Sequence, residues 1–357
     1  MYRMIGIMLS VALLLALVAS PASAEIAPLS PELRSALEAI RSDPRPKEII
    51  KGTHYVTSNE PKQHLFRDQL NVPGGLYVGV GAEQNYLFIA WSRPEIAVLI
   101  DFDDVIPRLH RIYASMFKRL DTPEALIACW NSDAKGKKAS TCPHEQVLGW
   151  LTEDYEGEIL KGVKNVWRYS KKRVGPHLKK LRAHFVNLGV PSFLSDQNDY
   201  TYVAEMVRAS RVHAVRGDFT KRRTMHDIAE FAKKACMPVR TLYLSNVDDY
   251  LTYYNGQHRK NMVGLPGDER SLVVQTEPSG STSYHYIVQP LSVYRAWLQC
   301  RCVYGVSVVR PHRVPLGDTG LQTLTALPIE VEAYTKKAKK NGPAPSFSLP
   351  TTCAATP

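Results

Sequence analysis

The stretch LYVGVGAEQNYLFIAW at residues 76–91 has residue types and spacings that suit a nucleotide or a related cofactor. An apolar run ends at Gly79 and Gly81 and an amphipathic stretch follows at once, which is how a strand enters a cofactor-binding turn. The third glycine of the dinucleotide fingerprint is missing, because residues 83–85 (Glu-Gln-Asn) occupy the positions where it would stand. The turn therefore predicts a cofactor-type site with half of the usual fingerprint.

Polar residues also follow the next expected strands at their carboxyl ends, where ligands bind in open α/β sheets. Asp101, after the second strand, can accept hydrogen bonds from two ribose hydroxyls, and Asp218, after the third, can meet the exocyclic amine of a base. Acids at strand ends also cap the helices that follow, so capping is the alternative for both. The expected ligand-binding residues are Gly79, Gly81, Glu83, Gln84, Asn85, Asp101, Asp218 and Asn246.

Other catalytic patterns are missing from the sequence. There is no Gly-x-Ser-x-Gly elbow, no Walker A lysine loop and no His-Glu-x-x-His motif. Cys300 and Cys302 have one residue between them, where a metal pair or a redox motif usually has two, and no His/Cys cluster is near them in sequence. No metal site is expected, and no residue is assigned a catalytic role.

The elements that position these residues follow a strand–helix alternation, which predicts an α/β fold with a mostly parallel sheet and helices on both faces. The last two strands are expected to form an antiparallel edge. Leu109, Ile112, Tyr113 and Met116 recur with a period of 3.6 and predict a helix after the second strand. The expected strands are 76–81, 96–102, 212–216, 240–245, 271–276, 284–289 and 304–309.

The alternation divides the chain into segments. A helical and extended segment at 25–75 precedes an α/β domain at 76–340. A polar, basic stretch at about 121–189 interrupts that domain and is interpreted as a mainly helical insertion. The tail at 341–357 is rich in Pro, Ser and Thr and is expected to be disordered.

Residues 1–24 have the pattern of a cleavable signal peptide. A short start with Arg3 leads into an apolar run, and Ala22 and Ala24 form the small-residue site that signal peptidase accepts. Cleavage after Ala24 predicts a periplasmic or secreted protein, with an N-terminal membrane anchor as the alternative. The even number of cysteines, six, then favours disulfides, and Cys129 and Cys142, which flank a polar loop, are the expected pair.

The net charge of +11 is concentrated in a few runs. Lys and Arg far outnumber acids between residues 135 and 184, and residues 221–223 read Lys-Arg-Arg. Such runs attract phosphate-rich or other anionic partners, or they are solvated faces without a dedicated ligand. Export makes an anionic surface or polymer a better candidate than nucleic acid. No later segment has the length of a transmembrane helix.

Several blocks of the sequence carry a recognisable family pattern: THYVTSNE, GGLYVGVGAEQNYLFIA with RPEIAVLIDF, and LYLSNVDDYL with NMVGLPGDERSLVVQT. They resemble an uncharacterised bacterial family typified by a Leptospira protein, whose fold is similar to that of class I S-adenosylmethionine-dependent methyltransferases. The resemblance implies a methyltransferase-like, Rossmann-like fold and a cleft, without an established reaction. Two positions depart from the family pattern, which has arginines where this chain reads Phe102-Asp103-Asp104 and Val274-Gln275-Thr276. The pattern falls here on Ser58-Asn59-Glu60, Gly79, Gly81, Gln84, Asn85, Asp101, Ser245-Asn246-Val247, Tyr250-Leu251, Asn261 and Leu265-Pro266.

Three functions fit these observations. The first is an exported protein that binds a small polar or anionic ligand at the carboxyl edge of the sheet without being an active S-adenosylmethionine enzyme. The second is an active transferase, with Asp101 on the ribose and Asp218 on the adenine of the cofactor. The third is a non-enzymatic binder of anionic surfaces that uses the basic insertion.

Overall fold

A computed structural model describes residues 26–132, 141–251, 253–280 and 283–325. The expected signal peptide at 1–24 and the expected tail at 341–357 lie outside the described residues. In the described part of the chain, no helix is both long enough and apolar enough to cross a membrane.

The described strands form one mixed sheet in the order β3-β2-β1-β4-β5-β6-β8-β7. The first five pair in parallel, β6 runs antiparallel to β5, and β7 pairs antiparallel with β8. The chain builds the sheet in one direction from β1 to β3 and in the other from β4 onward, so the strand order reverses between β1 and β4. The strands are β1 (Leu76–Val80), β2 (Ile96–Asp101), β3 (Val212–Arg216), β4 (Val239–Ser245), β5 (Leu272–Pro278), β6 (Tyr284–Pro290), β7 (Arg313–Pro315) and β8 (Gln322–Leu324).

Helices flank this sheet, as the alternation predicts. The central strands β1 and β2 are buried along their whole length, which is how strands covered on both faces read. The helices are α1 (Pro31–Glu38), α2 (Gln84–Ser92), α3 (Val105–Phe117), α4 (Pro123–Trp130), α5 (His144–Asp154), α6 (Gly157–Leu188), α7 (Gln197–Arg208), α8 (Arg223–Lys234), α9 (Val247–Tyr250), α10 (Gly256–Gly264), α11 (Leu291–Gln299) and α12 (Val306–Val309).

Helix α3 shows why the local sequence folds in this way. Its apolar residues at 109, 112, 113, 116 and 117 are fully buried, which confirms the 3.6-residue period. Helices α4 to α7 lie between α3 and β3, within and just after the stretch expected to be an insertion. The 32-residue helix α6 packs against α3, α4 and α5.

The segment before β1 crosses the carboxyl edge of the sheet. The Ser58 backbone N–H donates to the Glu83 carboxylate after β1 (3.0 Å), and Glu60 accepts hydrogen bonds at the ends of β4 and β5. These donors are the hydroxyls of Ser245 (2.5 Å) and Thr276 (2.6 Å), and the Tyr243 hydroxyl donates as well (2.7 Å). Burial nevertheless raises the pKa of Glu60. The segment is thereby tied to three strands and forms a wall above their ends.

The expectation of a strand at 304–309 is wrong. Residues 306–309 form the short helix α12, and a 3-10 turn follows at Arg310–His312. The β-branched valines there favour a strand by propensity, but Pro311 has no N–H for a strand ladder, and Arg310 pairs instead with the buried Glu277. The antiparallel C-terminal pair exists and consists of β7 and β8.

Two disulfides are present in the described residues. Cys129 and Cys142 are bonded, which confirms the expected pair, and Cys300 and Cys302 form a second bond that was not expected. The first closes the polar loop between α4 and α5 and would stabilise the fold by about 3 kcal/mol in the chain-entropy model.

Candidate functional site

A cavity of about 120 Å³, partly open to solvent, lies at the carboxyl edge of the sheet where the strand order reverses. We call it the edge cavity. The ends of β1, β2 and β4 form its floor, and the segment before β1 forms a wall. Its lining residues are Ile50, Thr53, Tyr55, Thr57, Ser58, Asn59, Val80, Gly81, Ala82, Gln84, Asp101, Phe102, Asp103, Ile106, Ser245, Asn246, Val247 and Tyr250.

Asp101 supplies the principal charged group of the cavity floor. Its side chain is only 9% exposed, and it accepts a hydrogen bond from the Asp103 backbone N–H at 2.9 Å. Burial raises the pKa of Asp101 from 3.8 to about 7, which outweighs the hydrogen bonds from backbone N–H groups, including those of Gly81 and Phe102. Near neutral pH this carboxyl can therefore either accept a proton from a ligand group or donate one to it.

Gln84 lines the same cavity and carries a buried acceptor without a partner in the described part of the chain. Its side chain is 5% exposed, and its Oε1 has no hydrogen-bond partner among the described residues. A buried amide oxygen without a partner carries a desolvation cost of about 1–3 kcal/mol, which a ligand donor would relieve. Gly81 makes room for this side chain, because its φ of +89° suits glycine and a Cβ there would collide with Gln84 Nε2.

Asn246 and two tyrosines complete the cavity on the side of β4. Asn246 follows Ser245, whose left-handed φ of +50° turns the chain at the end of the strand. Tyr55 is 39% exposed and Tyr250 is 41% exposed, and both rings line the cavity. Half-exposed aromatic rings at a cavity can stack on a flat ligand.

Asp103 links the cavity to a histidine at its border. Its Oδ2 lies 2.7 Å from His54 Nδ1, and its Oδ1 accepts a hydrogen bond from the Val105 backbone N–H at the start of α3. The His54 ring packs edge-on against Tyr169 of α6. Asp103 is therefore held by two contacts of the fold while it faces the cavity.

Asn85, which the sequence analysis also expected to bind a ligand, does not line the cavity. Its Nδ2 donates to the carbonyls of Val80, Gly81 and Ala82 at 2.9–3.1 Å, and its Oδ1 accepts from the Tyr77 hydroxyl at 2.7 Å. The side chain is fully buried. Both the donor and the acceptor of this amide are therefore used within the fold, where they hold the turn.

Gly79 makes room for the contact between Asn85 and Tyr77. A Cβ at this position would overlap Asn85 Oδ1 and the Tyr77 ring, so the missing side chain makes space within the fold and not beside the cavity. Gly81 lines the cavity and Gly79 does not.

Glu83 also makes its hydrogen bonds within the fold. It is completely buried, accepts a hydrogen bond from Ser58 N–H and lies 2.6 Å from Nε2 of His177 on α6. Burial alone would lower the pKa of His177, but the contact with the Glu83 carboxylate raises it. This pair ties α6 to the turn after β1.

His110 clamps the turn from the side of α3. Its Nε2 lies 2.8 Å from the Gly81 carbonyl and its Nδ1 lies 2.9 Å from the Tyr86 hydroxyl. A carbonyl can only accept, so Nε2 carries the proton and Nδ1 accepts from Tyr86. Burial lowers the pKa of His110 to about 4, which agrees with a neutral ring.

Asp218 lies in a different part of the edge, after the outer strand β3. Its Oδ1 accepts from the backbone N–H and the hydroxyl of Thr220, at 2.7 and 2.6 Å, and it does not line the edge cavity. The structure thus brings Gly81, Gln84, Asp101 and Asn246 together and leaves Gly79, Glu83, Asn85 and Asp218 outside the cavity.

Sequence reasoning missed the aromatic part of the cavity. Tyr55 lies in the block THYVTSNE and Tyr250 in LYLSNVDDYL, so both stand in segments that the family pattern had singled out. Tyr55 lies outside the helices and strands and Tyr250 is the last residue of the short helix α9, so hydrophobic periodicity identifies neither, and only those blocks could have indicated them. In the described part of the chain no group of three or more His, Cys, Asp or Glu side chains is arranged to hold a metal ion.

Residues 55–314 match the sequence profile of a domain of unknown function, DUF7790. No curated protein matches the chain. The matched range contains every residue at the floor of the edge cavity and Tyr55 and Tyr250.

Proposed function

The chain belongs to the DUF7790 family, and we propose that it binds a small, hydroxyl-bearing ligand in the edge cavity. The observation that carries this proposal is that two residues lining the cavity carry buried acceptors: Gln84 Oε1, which has no partner among the described residues, and the Asp101 carboxyl. Buried polar groups in folded proteins are nearly always paired. A ligand that donates hydrogen bonds to both would complete the pairing.

The lining favours one ligand chemistry. It contains two carboxyl groups and, among the described residues, no Lys or Arg, so an anionic group would be repelled. Vicinal hydroxyls match a carboxylate, and a flat ring matches Tyr55 and Tyr250. The proposed ligand is therefore nucleoside-like, with a sugar diol at Asp101 and a ring at the tyrosines.

Catalysis by S-adenosylmethionine is the alternative for the same cavity. The strand order β3-β2-β1-β4-β5 and the acid at the end of β2 support the methyltransferase-like fold that the resemblance to the Leptospira family implies. Against activity stands the turn after β1, where Gly79 and Asn85 contact each other and not the cavity. The signal-like residues 1–24 and the disulfides favour an oxidising compartment, where this cofactor is not supplied. We therefore propose a binding protein and not an active transferase.

Calorimetric titration of the oxidised protein tests this proposal. Adenosine, S-adenosylmethionine and its demethylated product are titrated into wild type and into the Asp101→Asn and Gln84→Ala variants. Binding of adenosine that weakens in both variants supports the assignment. Unchanged binding in both variants would place the ligand elsewhere, and methyl transfer by the wild type would establish the alternative. Fractionation of the producing cell adds a check, because cytoplasmic retention would remove the objection to the transferase.

The exposed face of α6 supports a second function, the binding of anionic surfaces. Lys172, Lys179 and Lys180 are exposed on this helix and have no acidic partner within ion-pair distance among the described residues. Retention on heparin that falls steeply with salt, and falls further in a Lys172→Glu/Lys179→Glu double variant, would support this function. Retention that is unchanged in the double variant would contradict it. The Asp101→Asn variant, which alters only the edge cavity, is the matched control.

A further inference from the structure

The Cys300–Cys302 disulfide lies apart from the edge cavity, between α11 and α12. Cys300 is fully buried, Cys302 is partly buried and the Arg301 side chain between them is exposed. One sulfur of the bond is therefore at the protein surface and the other is inside. An external reagent therefore reaches the sulfur of Cys302 more easily than that of Cys300.

The disulfide contributes little as a crosslink. Its cysteines are 2 residues apart in sequence, whereas Cys129 and Cys142 are 13 apart. The constraint that a disulfide places on the unfolded chain grows with the length of the loop that it closes, so the shorter loop restricts the unfolded chain far less. Two cysteines in this arrangement need another reason than stability.

A cationic side chain holds the backbone around Cys300. Arg259 of α10 donates to the carbonyls of Tyr254 (3.0 Å) and Cys300 (3.0 Å), and also to those of Leu298 and Val303. In the described part of the chain no carboxylate lies within ion-pair distance of this guanidinium, which contacts neutral carbonyls and lies 5.9 Å from the centre of the Tyr254 ring. The guanidinium bonds to the Cys300 carbonyl and so places a positive charge near this residue. A nearby cation favours the thiolate over the thiol, whereas burial in apolar surroundings favours the thiol.

A backbone donor adds to this stabilisation. The Cys302 N–H donates to Cys300 Sγ at 3.3 Å. The same N–H remains beside the sulfur after the disulfide opens, where it would bond a negatively charged acceptor more strongly than a neutral one. The loop is thus arranged so that Cys300 is the leaving sulfur and Cys302 the attacked one.

We propose that Cys300–Cys302 is a thiol–disulfide exchange site that oxidises thiols. A substrate thiolate attacks Cys302 Sγ, a bond forms between these two sulfurs, the Cys300–Cys302 bond breaks, and Cys300 leaves as a thiolate. A second substrate thiolate then attacks the substrate sulfur of this mixed disulfide and releases Cys302. The substrate gains a disulfide, the protein gains two thiols, and a low-molecular-weight disulfide of the compartment restores the protein by the reverse exchange.

Equilibration of the whole oxidised protein with reduced and oxidised glutathione tests the proposal. The redox state of each pair is read by alkylation and peptide mass spectrometry across a series of glutathione ratios. We expect Cys300–Cys302 to open at glutathione ratios at which Cys129–Cys142 stays oxidised. The equilibrium constants for reduction of the two disulfides should differ by at least tenfold. Equal resistance of the two disulfides would overturn the proposal.

Two matched variants test which sulfur is attacked. Cys300→Ser leaves Cys302, which should form a mixed disulfide with oxidised glutathione, and Cys302→Ser leaves the buried Cys300, which should react far more slowly. Equal rates, or no adduct in either variant, would contradict the assignment. Near-ultraviolet circular dichroism and the intact Cys129–Cys142 bond show that each variant is folded.

A dithiol peptide in place of glutathione shows whether the substrate carries two thiols in one molecule or a single thiol. Turnover of the peptide to its intramolecular disulfide, lost in both variants, identifies a dithiol substrate. An adduct with glutathione without peptide turnover identifies a monothiol. Neither reaction in the wild-type protein would overturn the proposal.

Discussion

The polar residues at the carboxyl edge of the sheet divide into two sets that differ in what their hydrogen bonds serve. Glu83 and Asn85 belong to a clamped set, in which buried donors and acceptors are matched within the fold. Gln84, Asp101 and Asn246 belong to an open set that lines the edge cavity, and Gln84 Oε1 has no partner there among the described residues. Residues 83, 84 and 85 are consecutive, yet the middle one belongs to the other set.

The two sets together show how a rigid turn supports a binding site. Asn85 and His110 together fix the carbonyls of residues 80–82, so the backbone of the turn is held without a ligand. Gly81 and Gln84 then line the cavity from a fixed position. A site held in this way does not lose free energy by ordering its own backbone when a ligand binds.

The largest expected effect is on stability, from Asn85→Ala. Removal of the amide takes one donor from the carbonyls of residues 80–82 and leaves the buried Tyr77 hydroxyl without its acceptor. The Gly81 carbonyl keeps His110 and the Ala82 carbonyl keeps the backbone N–H of residue 85, and we expect the free energy of unfolding to fall by about 3–5 kcal/mol. Gln84→Ala is the matched control on the neighbouring residue and should cost less than half as much. Urea unfolding measures both, and equal losses would remove the distinction between the two sets.

The pH dependence of stability should reveal Asp101. Its pKa in the folded protein, about 7, is above the value of 3.8 that applies in the unfolded chain, so the folded state binds more protons between these values. Its contribution to the free energy of unfolding should therefore be greatest below about pH 4 and fall as the pH rises to 7. At 1.36 kcal/mol per pKa unit the fall has an upper bound of about 4 kcal/mol.

Asp101→Asn should remove this dependence. Unfolding in urea at pH 5 and at pH 8 should show the variant gaining stability relative to wild type as the pH rises. A difference that stays constant, or that changes in the opposite direction, would mean that Asp101 is not a buried acid with a raised pKa.

Substitutions in the open set should weaken ligand binding by a smaller free energy than the loss of stability expected for Asn85→Ala. Loss of a hydrogen bond to a charged carboxylate costs about 1.5–3 kcal/mol, so Asp101→Ala should weaken binding of a nucleoside about 10- to 100-fold. Asn246→Ala, which removes a neutral amide, should weaken it about 10-fold or less. Titration calorimetry measures both, and equal affinity in wild type and Asp101→Ala would exclude the diol contact.

The smallest effect is expected from Asp218→Asn. Its side chain accepts from Thr220 in its own loop and lies outside the edge cavity, so the variant should lose about 1 kcal/mol or less and bind ligand within about twofold of wild type. A tenfold loss of affinity in a folded variant would return Asp218 to the binding site and extend the open set to β3.

The sequence was informative where a local pattern determines the structure. Periodicity and apolar runs predicted α3 and the buried strands, and the cysteines that flank a polar loop predicted the Cys129–Cys142 bond. The rule on strand ends predicted the edge at which the cavity lies. It could not separate Gln84 from Asn85, because both are amides in one turn and only the direction of each side chain decides its partners.

Two further features depend on contacts between distant segments. Residues 306–309 form a helix although their valines favour a strand, and the next residue, Arg310, pairs with Glu277 on β5. The buried Glu60 joins β4 and β5 through hydroxyls that are about 185 and 216 residues away in sequence. No window of local sequence contains such a contact.

The most direct test of the account is a nuclear magnetic resonance titration that follows the side-chain amides of Gln84, Asn85 and Asn246 as adenosine is added. These three amides report on the open and the clamped set in one spectrum. We expect the resonances of Gln84 and Asn246 to shift with a saturable dependence on adenosine while those of Asn85 stay in place. Absence of any shift at millimolar adenosine, or a shift confined to Asn85, would contradict it.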